Sequence, residues 1–166
     1  MIDAIKKVPA ENRWAVASKT MTGAIMATNK VILDIVGREK YNEFMEKIWS
    51  EGGKASKQIA DTLGMNGKDA KSIADTVQGV ATVEMGPEFK FVIVEATEEK
   101  ATLRCTECPW LNRAKELGIS DDMCSLADQA YANGFAKTIN PKMKVTIIKA
   151  MPRGDAHCEW IYELEK

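Results

Sequence analysis

Apolar positions recur about every 3.6 residues through the first half of this chain and every second residue through much of the second half. Over residues 14–36, Trp14, Ala17, Met21, Ile25, Thr28 and Ile32 keep close to the helical period, and Gly37 is placed to end or bend that helix. Tyr41, Phe44, Met45 and Ile48 predict a second helix over 38–50. Gly52 and Gly53 punctuate, and the helical pattern resumes over 54–63 with Ile59 and Leu63. After a turn at Asn66-Gly67, Ile73, Val77 and Val80 predict a helix over 69–83. The methionines Met21, Met26, Met45 and Met65 read as gap-filling core.

Beyond Met85-Gly86-Pro87 the period changes. Phe89, Phe91 and Ile93 alternate with Lys90 and Val92, Glu98-Glu99 suits a turn, and Ala101, Leu103 and Cys105 alternate in turn, which predicts a hairpin. Residues 109–117 read as a short helix closed by Gly118, and 121–139 as a longer one stopped by Asn140-Pro141. Two more strands follow over 142–150 and 158–165, joined by a turn at Pro152-Arg153-Gly154-Asp155. The expected fold class is α+β: N-terminal helices packed on a mostly antiparallel sheet, with two further helices inserted between strand pairs. The chain reads as a single domain, 1–166, with a helical half (1–85) and a mixed half (86–166) that carries every cysteine.

A hydrophobic share of 45% among 166 residues is enough for a core. A net charge of −1, from 23 basic and 24 acidic side chains, gives no electrostatic footprint for nucleic acid or an anionic membrane. No segment approaches the roughly 20 apolar residues of a membrane span, and MIDAIKKVPAENRW lacks the pattern of a secretory leader. The expected location is the cytoplasm, where patterned cysteines more often serve metals or catalysis than disulfides. A homo-oligomer is compatible with the sequence.

The cysteines are Cys105, Cys108, Cys124 and Cys158, spaced C-x2-C-x15-C-x33-C. A C-x2-C pair presents two thiolates about a metal's width apart, as zinc and iron–sulfur sites use. Cys105 ends a predicted strand, and Cys108 precedes Pro109, which suits a helix start. Helix N-terminal N–H groups there would favour the Cys108 thiolate. Cys124 falls in the opening turn of the longer helix, with Asp128 one turn on and Tyr131 and Phe135 continuing that face. Cys158 opens the last strand, on the side of Trp160 and Tyr162. The four cysteines are therefore candidate ligands for one zinc or one 4Fe-4S cluster. His157, the lone histidine, is a further candidate ligand or base, although in a strand it would point away from Cys158. Asp155 sits three residues before Cys158, either approaching the site or making a turn hydrogen bond.

The stretch from CPWLNRAKELG to GDAHCEW resembles the L-2-amino-thiazoline-4-carboxylic acid hydrolase-like family. The matching features are Cys108-Pro109, Gly118, Cys124 with Asp128, Asn140-Pro141, and Gly154-Asp155 before Cys158. A looser likeness links the pattern to 4-vinyl reductase-type small-molecule-binding domains. Cys105 departs from the common pattern, and it and His157-Cys158-Glu159-Trp160 look more like relatives found in anaerobes. The resemblance implies water attack on the amidine carbon of a thiazoline ring, driven by a metal-bound hydroxide or an activated thiolate, with Asp128 or Asp155 as proton carrier. Against that hydrolase stand a metal- or cluster-ordered domain that only holds a ligand, and a zinc staple. A fourth thiolate favours these two, because a closed site leaves no position for water.

Overall fold

The computed structural model describes residues 5–119 and 122–165. Helix α1 (Ala10–Thr62) is broken only at Gly37, whose φ of 77° and ψ of 166° suit glycine alone. The expected break at Gly52-Gly53 does not occur. Those glycines serve packing instead, and α4 (Ser125–Ile139) crosses α1 there with its backbone against Gly53.

The buried face of the first arm of α1 is also not the expected apolar stripe. It carries Ser18, Thr22, Met26 and Asn29, while Met21, Val31 and Ile35 are exposed. Ser18 Oγ donates to Trp14 O at 2.9 Å and Thr22 Oγ1 to Ser18 O at 2.8 Å. Hydroxyls satisfied by their own preceding turn can be buried cheaply.

Helix α2 (Ala70–Met85) opens with a reciprocal cap. Asp69 Oδ1 accepts the Ser72 N–H at 2.8 Å and Ser72 Oγ accepts the Asp69 N–H at 3.2 Å. Strands β1 (Lys90–Ala96), β2 (Lys100–Glu107), β3 (Met143–Lys149) and β4 (Cys158–Leu164) form a sheet of order β1-β2-β4-β3, antiparallel throughout. The crossover from β2 to β3 holds α3 (Pro109–Glu116) and α4. The layout is the expected α+β one. The expected start of the longer helix at Asp121 lies outside the described residues. α4 opens at Ser125, after Asp122 Oδ1 has accepted the Cys124 and Ser125 N–H groups at 3.2 and 2.9 Å.

Two buried clusters hold these layers. One joins Leu103, Trp160 and Tyr162 of the sheet to Ile73 and Val80 of α2 and Phe135 of α4. The other joins Met26, Tyr41 and Met45 of α1 to Ala114, Met123 and Ala127. Each large apolar side chain fully removed from water stabilises by about 1.5–3 kcal/mol. Among the described residues, no helix is long and apolar enough to cross a membrane.

Candidate functional site

At the seam of the two clusters lies a cavity of about 100 Å³. Antiparallel pairing brings the end of β2 beside the start of β4, so that Cys105 and Cys158 are partners across the ladder. Cys108 and Cys124 are the N-caps of α3 and α4. Both helix starts and both strand ends therefore face one space, and all four cysteines line the cavity together with Asp128.

The rotation of α4 is fixed from its other side. Gln129 Nε2 donates to Val145 O at 2.7 Å, the Ile147 N–H donates to Gln129 Oε1 at 2.9 Å, and the Val145 N–H donates to Asn133 Oδ1 at 3.2 Å. With Gln129 and Asn133 tied to β3, the face bearing Cys124, Asp128 and Tyr131 turns to the cavity. α3 is held by Arg113, which is 4% exposed and donates to Glu88 at 3.2 Å and Glu116 at 2.8 Å.

The walls are aromatic and thioether-rich. Trp49 stands edge-on to Trp110 at 5.5 Å and to Tyr131 at 6.2 Å between ring centroids. Met26, Met85, Met123 and Met151 fill the remaining perimeter, and Trp160 and Phe89 complete it. The Tyr131 hydroxyl is committed to a buried network, 2.8 Å from Glu84 Oε2 and 2.9 Å from Ser56 Oγ. Asn29 lines the same cavity at 8% exposure, and among the described residues no protein hydrogen bond holds its side-chain amide.

Burial pushes the Asp128 carboxyl up to about 7, against an opposing pull from the Trp160 indole N–H. The Cys105–Cys108 pair is polarised. The closeness of the two thiols holds Cys108 below its ordinary range and Cys105 well above its own, the Leu111 and Trp110 N–H groups add to the pull on Cys108, and Cys105 Sγ donates to Glu107 O at 3.3 Å. Burial pushes Cys124 up, with Asp128 adding to it, and Cys158 rises to about 12 for the same reason although its sulfur accepts the Met151 N–H at 3.3 Å. Of the four thiols, Cys108 is thus the most readily deprotonated. In chelator-treated protein at neutral pH, iodoacetamide should label Cys108 first and Cys105 last, as read by peptide mass mapping. Equal labelling of all four would contradict this polarisation.

Asp155 and His157 do not join this space. Asp155 Oδ2 accepts the Ala150 N–H at 2.7 Å and closes the turn before β4. His157, in the bend just before β4, lies on the side of Glu159, 3.2 Å from Glu159 Oε2 and 3.4 Å from Lys149 Nζ, beside the Arg104–Glu159 ion pair. Among the described residues, no three His, Cys, Asp or Glu side chains stand as a group that could hold a metal ion. The sequence reading missed the α1 contribution: Met26, Asn29 and Trp49. Only the helical spacing of Met26 and Asn29 could have flagged it.

The fold and cavity define an α+β domain that encloses an apolar, thiol-lined pocket between its helices and one end of its sheet. The chain belongs to the L-2-amino-thiazoline-4-carboxylic acid hydrolase family, whose model matches residues 16–162. No curated protein matches it. Among solved structures it is similar to the phenol-responsive sensory domain of the transcription activator PoxR with phenol, with a TM-score of 0.66 at 14% identity over 86% of this chain and 74% of that one. It is similar also to a trafficking protein particle complex subunit 3 from Naegleria fowleri covalently bound to palmitic acid, with a TM-score of 0.66 at 14% identity over 92% and 97% of the two chains. At that identity both are likenesses of fold.

Proposed function

We propose that this domain binds a small apolar ligand in the thiol-lined cavity, and that Cys105, Cys108, Cys124 and Cys158 carry a soft metal, zinc or a 4Fe-4S cluster, at its sheet end. The observation that carries the reading is the convergence of all four thiols and an aromatic wall on one cavity. The solved relatives named above with phenol and with palmitic acid support a ligand-holding role. Four soft sulfur donors suit either metal group in chemistry. Their side chains are not pre-arranged as a cage, so loading would require thiol rotation, with deprotonation helped at the two helix starts. A reducing cytoplasm would keep the thiols available.

Metal and sulfide analysis with a visible spectrum, on anaerobically purified protein, tests this. One zinc or one cluster per chain is expected, with Cys105→Ala losing both metal and thermal stability. Metal-free protein with four freely titrating thiols would remove the metal. A melt unaffected by any small ring would remove the ligand.

The polarised Cys108 beside Asp128 favours a second reading, a hydrolase of a small cyclic C–N (amidine) bond. There the Cys108 thiolate adds to the amidine carbon, and the ring C–N bond breaks as Asp128 gives its proton to the leaving nitrogen. Water, losing its proton to Asp128, then displaces Cys108 as thiolate. Turnover of a cyclic amidine that survives in Cys108→Ser would exclude it.

A further inference from the structure

We propose, building on the ligand-binding reading above, that the cavity admits a single-ring molecule bearing an N–H or O–H donor and rejects the same ring bearing a carboxylate. The substrate in the family's name is a carboxylate, and the wall of this cavity is built against one. Among the described residues that line it there is no lysine, arginine or histidine. A carboxylate entering would lose its hydration with no cation to replace it, and it would meet the carboxyl of Asp128.

The surrounding charges do not alter this. Arg113 is spent on Glu88 and Glu116. Arg153 is exposed and, with Arg38, lines a separate cleft on the outer side of the first turn of α4. It acts on Cys158 at a distance without lining the cavity. The two helix starts would attract an anion if they were open, but both are engaged. Asp122 takes the first N–H groups of α4, and those of α3 act on the Cys108 sulfur. The thiols add no positive charge in any state. As thiols they are neutral, and as thiolates, alone or around a metal, they are negative.

Size and polarity specify what does fit. A cavity of about 100 Å³ is smaller than the roughly 150 Å³ apolar cavity that takes up benzene. One ring is therefore the limit, beside thiols that are free or hold a single zinc, with the flexible methionines giving way at the edge; a cluster would itself take up this space. Asp128 and Asn29 stand among the polar groups left to read it. Asp128 offers acceptor oxygens, and Asn29, 8% exposed as a residue, offers an accessible amide with no protein partner among the described residues.

Isothermal titration of the full chain with matched pairs tests the proposal: phenol against benzoate, and 2-aminothiazoline against its 4-carboxylate, with benzene as the bare ring. Phenol and 2-aminothiazoline should each bind about 100-fold or more tightly than their carboxylate partners, and more tightly than benzene. In Asp128→Asn the preference over the carboxylates should narrow by about 10-fold, with benzene unchanged. Carboxylates that bind as well as their partners, or phenol no better than benzene, would overturn the proposal while leaving a ligand-binding domain. Failure of every ring, benzene included, would overturn it together with the proposed function.

Discussion

Gly53→Ala is expected to destabilise the domain by about 3 kcal/mol or more, lowering its melting temperature by roughly 6–12 °C. A Cβ at Gly53 would stand 2.2 Å from Tyr131 O and 2.9 Å from Phe135 N, both backbone atoms of α4 that no rotamer change can move. The reciprocal contact is as close, since a Cβ at Gly134 would stand 2.4 Å from Ser50 O. The neighbouring Gly52 supplies the control. Its Cβ would meet Tyr131 Cδ2 at 4.0 Å, an ordinary contact. Gly52→Ala should therefore stabilise by about 0.5–1 kcal/mol through helix propensity alone. Melting curves of the two variants should move in opposite directions. Equal shifts would show that the helices do not cross at Gly53. Because Tyr131 belongs to the cavity wall, Gly53→Ala should also weaken ligand binding.

Asp128→Asn is expected to flatten the dependence of stability on pH and to be the more stable protein at pH 8. Burial places the Asp128 carboxyl at about 7, against 3.8 for the free group. Below pH 4 the folded and unfolded chains both hold the proton, and no penalty exists. Between pH 4 and 7 the unfolded chain ionises while the folded chain does not, so stability falls as pH rises. Above 7 both are ionised and the loss is complete. At 1.36 kcal/mol per pH unit the bound is about 4 kcal/mol. Water reaching the cavity reduces it, so a gain of about 2 kcal/mol for the Asn variant at pH 8 is expected. Urea denaturation at pH 5, 6, 7 and 8 measures it, and parallel profiles for the two proteins would contradict the burial of this carboxyl.

How far the sequence discloses this molecule depends on which physical signal each part carries. The second half is legible because strand alternation and turn residues are local. Phe91, Leu103, Cys105 and Trp160 all face the core from alternating positions. The Cys108-Pro109 helix start and the Cys124–Asp128–Tyr131 face follow from spacing, and they place four thiols and a carboxyl around one cavity. Helix α1 was misread in two places, each for a physical reason. Glycines inside a helix read as punctuation unless another backbone is known to press against them, and that partner lies about 80 residues away. Ser18, Thr22 and Asn29 fall outside the apolar stripe because they are polar, yet they are buried. Their burial depends on hydroxyls that bond backward along the helix and on an amide that opens to a cavity. Asp155 and His157 lie near Cys158 in sequence, but a turn hydrogen bond holds Asp155, and contacts on the Glu159 side hold His157, away from it.

The side-chain amides that tie helices to the sheet also govern how copies of this chain could associate. β1 and β3 are the two margins of the sheet. On β3, Gln129 and Asn133 occupy Val145 and the Ile147 N–H. On β1, Gln78 Nε2 occupies Phe91 O at 2.9 Å. A strand from a second molecule would find these ladder positions already engaged, so edge-to-edge pairing is hindered over Val145–Ile147 of β3 and at Phe91 of β1. The same amides that turn α4 and α2 onto the sheet therefore also reduce what its two outer strands offer to a strand of another molecule.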